Sequence, residues 1–147
     1  MNYTIRIKRQ RSAQDTLYWQ TFLCENEGNA SVADVLRELN ARTPLCDADG
    51  APAQLIGWEC SCLVRKCGAC AMRINGIPRL ACSVFLRDIK NATIVLEPLS
   101  KFPLVRDLIV DRRVLFDRLK EMQVWLEGEA QKNARTHAAR YQSARCL

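Results

Sequence analysis

An α+β fold is predicted: a small mixed β-sheet packed on one helix, followed by an α-helical segment. Three observations predict it. The chain opens with strict alternation, Tyr3, Ile5 and Ile7 interleaved with Thr4, Arg6 and Lys8, the period of a half-buried strand. Val32, Val35, Leu36 and Leu39 then recur at helical spacing and mark one apolar helix face. Asn75-Gly76 sits between two short strand-like runs, and that dipeptide is the strongest two-residue hairpin signal.

Each element follows in order. Residues 3–7 form the first strand, with one buried face. Gln10 to Asp15 is a polar turn. Leu17, Trp19, Thr21 and Leu23 alternate again and give a second strand and a hairpin. Asn26 to Ala30 is a loop. Ser31 with Asp34 three residues on is a capping box for the helix. Pro44 and the run Asp47-Ala48-Asp49-Gly50 end that unit in turns. Trp58 to Cys70 has no clean period and reads as a long loop. Ala71-Met72-Arg73-Ile74 is a short strand, and Leu80 to Phe85 is expected to return as its partner, carrying Cys82. Thr93 to Leu96 is a last strand, closed by Pro98. This order is compatible with the β-grasp arrangement of ferredoxins.

After Pro103 the pattern changes. Val110, Val114, Leu115, Leu119, Met122 and Leu126 recur at helical spacing, with Asp111 placed to cap the start and Gly128 the end. Glu129 to Arg145 is polar and alanine-rich, an exposed helix or linker. The expected division is a β-grasp domain over residues 1–104 and a helical segment over 105–147.

The chain has 147 residues, enough for one domain or a domain plus an appendage. With 48% hydrophobic and 26% charged residues, intermixed, it reads as a soluble globular protein. No apolar run approaches the length that spans a bilayer, and the N-terminus lacks the apolar core of a signal peptide. Direct membrane insertion is not expected. The net charge of +6 is spread, with Lys8, Arg9 and Arg11 at one end and Arg135, Arg140 and Arg145 at the other. These cations read as a solvated surface. No aromatic residues interleave with them in a nucleic-acid-binding pattern.

The chemistry lies in the cysteines. Of eight, four stand at Cys62, Cys67, Cys70 and Cys82, the spacing C-x4-C-x2-C followed by a more distant fourth. This is the plant-type pattern for holding a [2Fe–2S] cluster on four thiolates. A loop with three such ligands also aims backbone N–H groups at the sulfurs. Gly68 lets the backbone turn between two ligands, and Ala69 and Ala71 leave room. Zinc also takes four cysteines, but its sites usually show two short C-x2-C pairs, and only one exists here. The short gaps suit metal ligation better than disulfides, and with no secretion signal a reducing cytoplasmic compartment follows. Cys60, two residues before the first ligand, can serve as a substitute ligand or as a loop thiol, and the latter is favoured. Cys24 and Cys46 read as packing residues, His137 as exposed, and Trp19, Trp58 and Trp125 as packing anchors. No nucleophile–base pair, phosphate loop or dinucleotide fingerprint appears, so no active site of its own is expected.

The run from Cys62 through Asn75-Gly76 to Leu80-Ala-Cys82 resembles the iron–sulfur subunit of succinate dehydrogenase and fumarate reductase. Glu97-Pro-Leu and the stretch Pro103 to Asp111 resemble the segment that leaves the ferredoxin domain in that family. The resemblance covers roughly residues 1–127. It implies single-electron relay between an FAD-containing flavoprotein, where succinate and fumarate interconvert, and a membrane quinone. It also implies membrane anchor subunits as partners and a peripheral place on the inner face of the cytoplasmic membrane. Alternatives are a stand-alone [2Fe–2S] ferredoxin for another oxidoreductase and a zinc-binding interaction module. Two departures stand out. Arg65 occupies a position where the family usually has glycine; a left-handed backbone there costs a side-chain-bearing residue about 1 kcal/mol, so a reshaped loop is expected. The family also continues into a second domain with [4Fe–4S] and [3Fe–4S] clusters, whereas Arg145-Cys146-Leu147 resembles only the entry to its first cysteine motif. A fragment or truncated product is therefore expected, in which Cys146 alone holds no cluster.

Overall fold

The computed structural model describes residues 1–124. Strand β1 (Asn2–Arg9) and strand β2 (Tyr18–Glu25) form the first hairpin, helix α1 (Val32–Ala41) follows, and a long segment leads to β3 (Ala71–Ile74) and β4 (Ile77–Leu80). A 3-10 turn at Ala81–Ser83 and another at Leu86–Asp88 precede β5 (Thr93–Glu97). A small hairpin, β6 (Leu104–Arg106) and β7 (Ile109–Val110), closes the first compact unit, Met1–Arg112. Helix α2 (Arg113–Glu121) belongs to the second unit.

Five strands make one mixed sheet in the order β2-β1-β5-β3-β4. The pairing of β1 with β5 is parallel and the other pairings are antiparallel. With α1 lying between the first hairpin and the rest in sequence, this is the β-grasp arrangement the sequence predicts. Its core joins Ile5 and Ile7 of β1, Met72 and Ile74 of β3, and Ile94 and Leu96 of β5 to Val32, Val35, Leu36 and Leu39 of α1. Each of these large side chains contributes roughly 1.5–3 kcal/mol by leaving water. The capping box forms as expected: Ser31 Oγ accepts from the Asp34 N–H at 3.2 Å, and the Ser31 N–H donates to Asp34 Oδ2 at 3.0 Å. Asn75 and Gly76 both take positive φ, 50° and 80°, as a tight hairpin turn with this dipeptide requires. Pro78 sits in β4, a strand at the sheet edge, where its missing N–H is tolerated.

Four expectations are corrected. The apolar face of β2 is the opposite one: Phe22 and Cys24 are buried, while Trp19 and Leu23 are 39% and 52% exposed. The register decides it, because Ile5 faces Phe22 and Tyr3 faces Cys24, and directly opposed residues share a face. Trp19 is therefore an outer-face residue, with the Arg6 guanidinium 4.5 Å from its ring centroid. Cys82 lies in the 3-10 turn after β4 and not on a returning strand over 80–85. Arg9 is 1% exposed rather than solvated, because it pairs with Asp107 from the far hairpin. Val110 pairs with Leu104 in β7, so the helix begins at Arg113. The hairpin forms because Asp107 takes a positive φ of 48° and its carboxylate is held from three directions. The expectations for Trp125, Leu126, Gly128, 129–145, His137 and Cys146 lie outside the described residues.

Candidate metal centre

The site is assembled from the sheet edge outward. Cys70 immediately precedes β3, and Cys82 sits in the 3-10 turn after β4, so the hairpin brings them together. The Ala81 N–H donates to the Cys70 carbonyl at 3.0 Å, and Ser83 Oγ donates to the Leu80 carbonyl at 2.8 Å. Both thiols are buried, and their sulfurs are 3.4 Å apart. Helix α1 packs against this turn, and the Val32 N–H donates to the Val84 carbonyl at 2.9 Å.

Cys62 and Cys67 form a second pair on the exposed loop. Cys62 Sγ accepts the backbone N–H groups of Val64 and Cys67, each at 3.4 Å, and the Ala69 N–H donates to Cys67 Sγ at 3.4 Å. Turning the N–H groups inward requires left-handed backbone at Leu63 (φ 54°), Arg65 (φ 66°) and Gly68 (φ 78°). The expected reshaping at Arg65 does not occur: the arginine adopts the left-handed conformation itself. Its guanidinium lies 5.1 Å from the Phe85 ring centroid, a contact worth about 0.5–1 kcal/mol at an exposed site, which offsets much of the backbone strain. At Gly68 a Cβ would meet nothing within 4 Å, so glycine is required there by φ and not by space.

The two pairs differ electrostatically. The N–H groups of Val64, Lys66 and Cys67 hold the Cys62 thiol down to about 6. Burial, more than any neighbour, pushes the Cys70 thiol up. Metals bind the thiolate, so backbone dipoles favour the ligating form of Cys62 whereas burial disfavours it at Cys70.

Among the described residues, no three His, Cys, Asp or Glu side chains converge on one metal ion. A structural zinc needs four donors about 2.3 Å from a single centre. A [2Fe–2S] cluster instead distributes its four thiolates over two irons, and two separate sulfur pairs fit that donor set. None of the described cysteines is in a disulfide. Cys24 is buried with its thiol 3.9 Å from Glu38, Cys46 is half-buried beside its bridge to Pro52, and Cys60 is exposed.

Three supports of the loop were invisible in the sequence. The Arg112 guanidinium donates to the Gly68 and Ala69 carbonyls at 3.0 and 2.8 Å, with Glu59 at 3.7 Å. Asn40 on α1 clasps Ile56, accepting its N–H at 2.8 Å and donating to its carbonyl at 2.9 Å. Asp107 accepts the Gly57 N–H at 2.8 Å and the Gln10 N–H at 3.1 Å. It also receives Arg9 Nε at 3.0 Å, and Arg9 donates in addition to the Gln54 and Leu55 carbonyls at 3.1 Å. These contacts fix both ends of the loop, and their partners stand too far apart in sequence for a local pattern to signal them.

Residues 4–117 match the family described as 2Fe-2S iron-sulfur cluster binding domain. The chain is 38% identical over 125 residues to the succinate dehydrogenase iron-sulfur subunit of Bacillus subtilis (strain 168), covering 84% of this chain and 48% of that protein. It is 36% identical over 97 residues to the fumarate reductase iron-sulfur subunit of Escherichia coli O6:H1, covering 62% of this chain and 38% of that protein. A subunit in the Mycobacterium smegmatis Sdh1 complex in the apo form superposes with a TM-score of 0.64 at 22% identity, over 90% of this chain and 56% of that one, which establishes the fold. The chain thus spans about half the length of the relatives it matches.

Proposed function

The chain belongs to the family of 2Fe-2S iron-sulfur cluster binding domains, and from that premise we propose that it is the [2Fe–2S] electron-relay portion of a succinate dehydrogenase or fumarate reductase iron–sulfur subunit. Its cofactor is a [2Fe–2S] cluster, and the proposed ligands are Cys62, Cys67, Cys70 and Cys82. The observation that carries the reading is the division of these thiols into two pairs, one bonded by backbone N–H groups and one buried at the sheet edge. When bound, the cluster takes up and releases one electron at a time. The chain's own residues do the rest. The N–H groups of Val64, Cys67 and Ala69 stabilise charge on the outer sulfurs. The sheet edge and α1 keep water from the inner pair. Arg112 donates to the Gly68 carbonyl and so fixes the peptide whose Ala69 N–H faces Cys67 Sγ.

The proposed partners are an FAD-containing flavoprotein, which carries out the succinate–fumarate chemistry, and a membrane anchor with its quinone. The chain supplies no acid, base or nucleophile to that chemistry. Its proposed place is peripheral on the inner face of the cytoplasmic membrane, held by those partners. Among the described residues no helix is long and apolar enough to cross a membrane.

The test is metal and sulfide analysis of anaerobically purified protein, with EPR after dithionite reduction. Iron and acid-labile sulfide in equal amounts, with a rhombic spin-one-half signal, are expected. Zinc without sulfide overturns the reading. Copurification with a flavoprotein is expected in addition, and a cluster-loaded monomer that captures none would make the chain a stand-alone carrier.

A further inference from the structure

We propose that Arg65 sets the reduction potential of this site: stacked on Phe85, it is a fixed positive charge at the wall shared with Cys82 and makes the cluster easier to reduce. The inference rests on the cluster assignment above and concerns a residue that assignment does not use.

Five observations converge on it. Arg65 stands inside the ligand loop, between Cys62 and Cys67. Its backbone is left-handed, the conformation that glycine adopts without strain, so an arginine here is held by its side chain. That side chain lies on the Phe85 ring at 5.1 Å. The ring is on a rigid stem: Ser31 bridges Phe85, the Val84 carbonyl accepts the Val32 N–H at 2.9 Å, and the Leu86 N–H donates to the Ala30 carbonyl at 3.0 Å. Finally, Arg65, Phe85 and Cys82 line one depression of about 410 Å³ with Leu63, Val64, Ser31 and Asp34.

The charges around that depression favour the cation. Arg87 lies 5.1 Å from the same ring and is tied to Asn29 at 3.1 Å. Asp34 is the opposing charge, and it is occupied by the Ser31 N–H and Oγ at 3.0 and 2.7 Å and by Arg37 at 3.9 Å. Reduction adds one electron, hence one unit of negative charge, to the cluster, with no bond made or broken and no proton moved by Arg65. A neighbouring fixed cation therefore stabilises the reduced form more than the oxidised one. Because the arginine is exposed, salt screens the effect.

The experiment is an EPR-monitored potentiometric titration of the full chain carrying its cluster, with dithionite as the electron source. At low salt Arg65→Gln is expected to lower the reduced-to-oxidised ratio at a fixed potential about threefold, ~28 mV for a one-electron couple at 59 mV per decade. Arg65→Lys keeps most of the wild-type potential. Arg65→Gly shows the same loss as Arg65→Gln while its thermal stability holds or rises, since the strain is gone. Phe85→Leu, which frees the cation without removing it, gives a smaller shift of the same sign and reads the effect even where Arg65→Gln loses its cluster. High salt narrows all the differences. Unchanged potentials in Arg65→Gln and Phe85→Leu overturn the proposal, and so does a shift in Arg65→Gly that Arg65→Gln lacks. Wild-type protein that binds no iron and sulfide overturns the cluster assignment, and this proposal falls with it; loaded protein with unmoved potentials overturns only the role of Arg65.

Discussion

The inner and outer thiol pairs are built on opposite principles. Cys70 and Cys82 are buried at the end of a sheet hairpin, against a turn that α1 covers. Cys62 and Cys67 lie on an exposed loop whose shape rests on three left-handed residues and a few N–H···S contacts. The inner pair is placed by the same burial that stabilises the fold. The outer pair depends on local backbone geometry and on the clamps at the loop's two ends. A site of this kind is half scaffold and half strap, and the two halves respond differently to substitution.

The largest expected effect breaks the inner half. Cys70→Ser or Cys82→Ser should abolish cluster binding, read as loss of acid-labile sulfide and of the EPR signal. Cys67→Ser should also lower occupancy. Cys62→Ser should retain a fraction, because Cys60 stands two residues away on the same exposed stretch, and the Cys60→Ser/Cys62→Ser double variant should then lose it. Cys24→Ser and Cys46→Ser should leave occupancy unchanged. A fully loaded Cys82→Ser protein would remove Cys82 from the site.

Next comes the frame. Arg9 and Asp107 are an ion pair at 3.0 Å, 1% and 2% exposed, and leaving one such charge without its partner costs roughly 3–5 kcal/mol. Asp107→Ala should lower the urea midpoint of the first unit accordingly. It should also loosen the loop entry, because Gly57 loses its acceptor. An unchanged midpoint would mean that the pair is dispensable. Arg112→Ala should act on the strap instead. It removes two charge-assisted hydrogen bonds to loop carbonyls, each worth about 1.5–3 kcal/mol. Cluster loss to a chelator should quicken several-fold, with little change in the unfolding of the cluster-free chain.

The smallest effect concerns the helix cap. Hydrogen bonds from Ser31 hold the Asp34 carboxyl below the ordinary aspartate value of 3.8. A lowered carboxyl stabilises the fold above its unfolded-state value, and that contribution disappears as pH falls through the lower, folded-state value. Ser31→Ala should cost about 1 kcal/mol at neutral pH. Asp34→Asn should flatten the stability loss on the acid side of 3.8, measured as urea midpoints across that range. An equal acid dependence in wild type and Asp34→Asn would deny Asp34 that role.

What the sequence disclosed divides along similar lines. The Ser31–Asp34 box and the Asn75-Gly76 turn are short-range signals, carried by residues a few positions apart, and each appears where expected. The face of β2 was not legible, because Trp19 and Leu23 on one side and Phe22 and Cys24 on the other are both apolar. Alternation fixes two faces but not which is inward; the register against β1 does that. Arg9 was read as an ordinary surface cation because its partner Asp107 is remote in sequence, and the same remoteness from Gly68 and Ala69 left the role of Arg112 without a signal. The β6–β7 hairpin was missed because its strands are three and two residues long, too short for a period to register. The position of Cys82 in a 3-10 turn was hidden by an apolar run that suits a strand equally well.

The parallel pairing of β1 with β5 imposes an order of events on synthesis. Thr4 meets Thr93 and Ile7 meets Leu96, so the first strand leaves the ribosome long before its central neighbour. At about 5–20 residues per second, all four proposed ligand cysteines emerge ahead of the strand that completes the sheet. Pairings so distant in sequence close slowly, because chain entropy must be lost before contacts form. For that interval the thiols belong to an unfinished chain, open to oxidants and to competing metals.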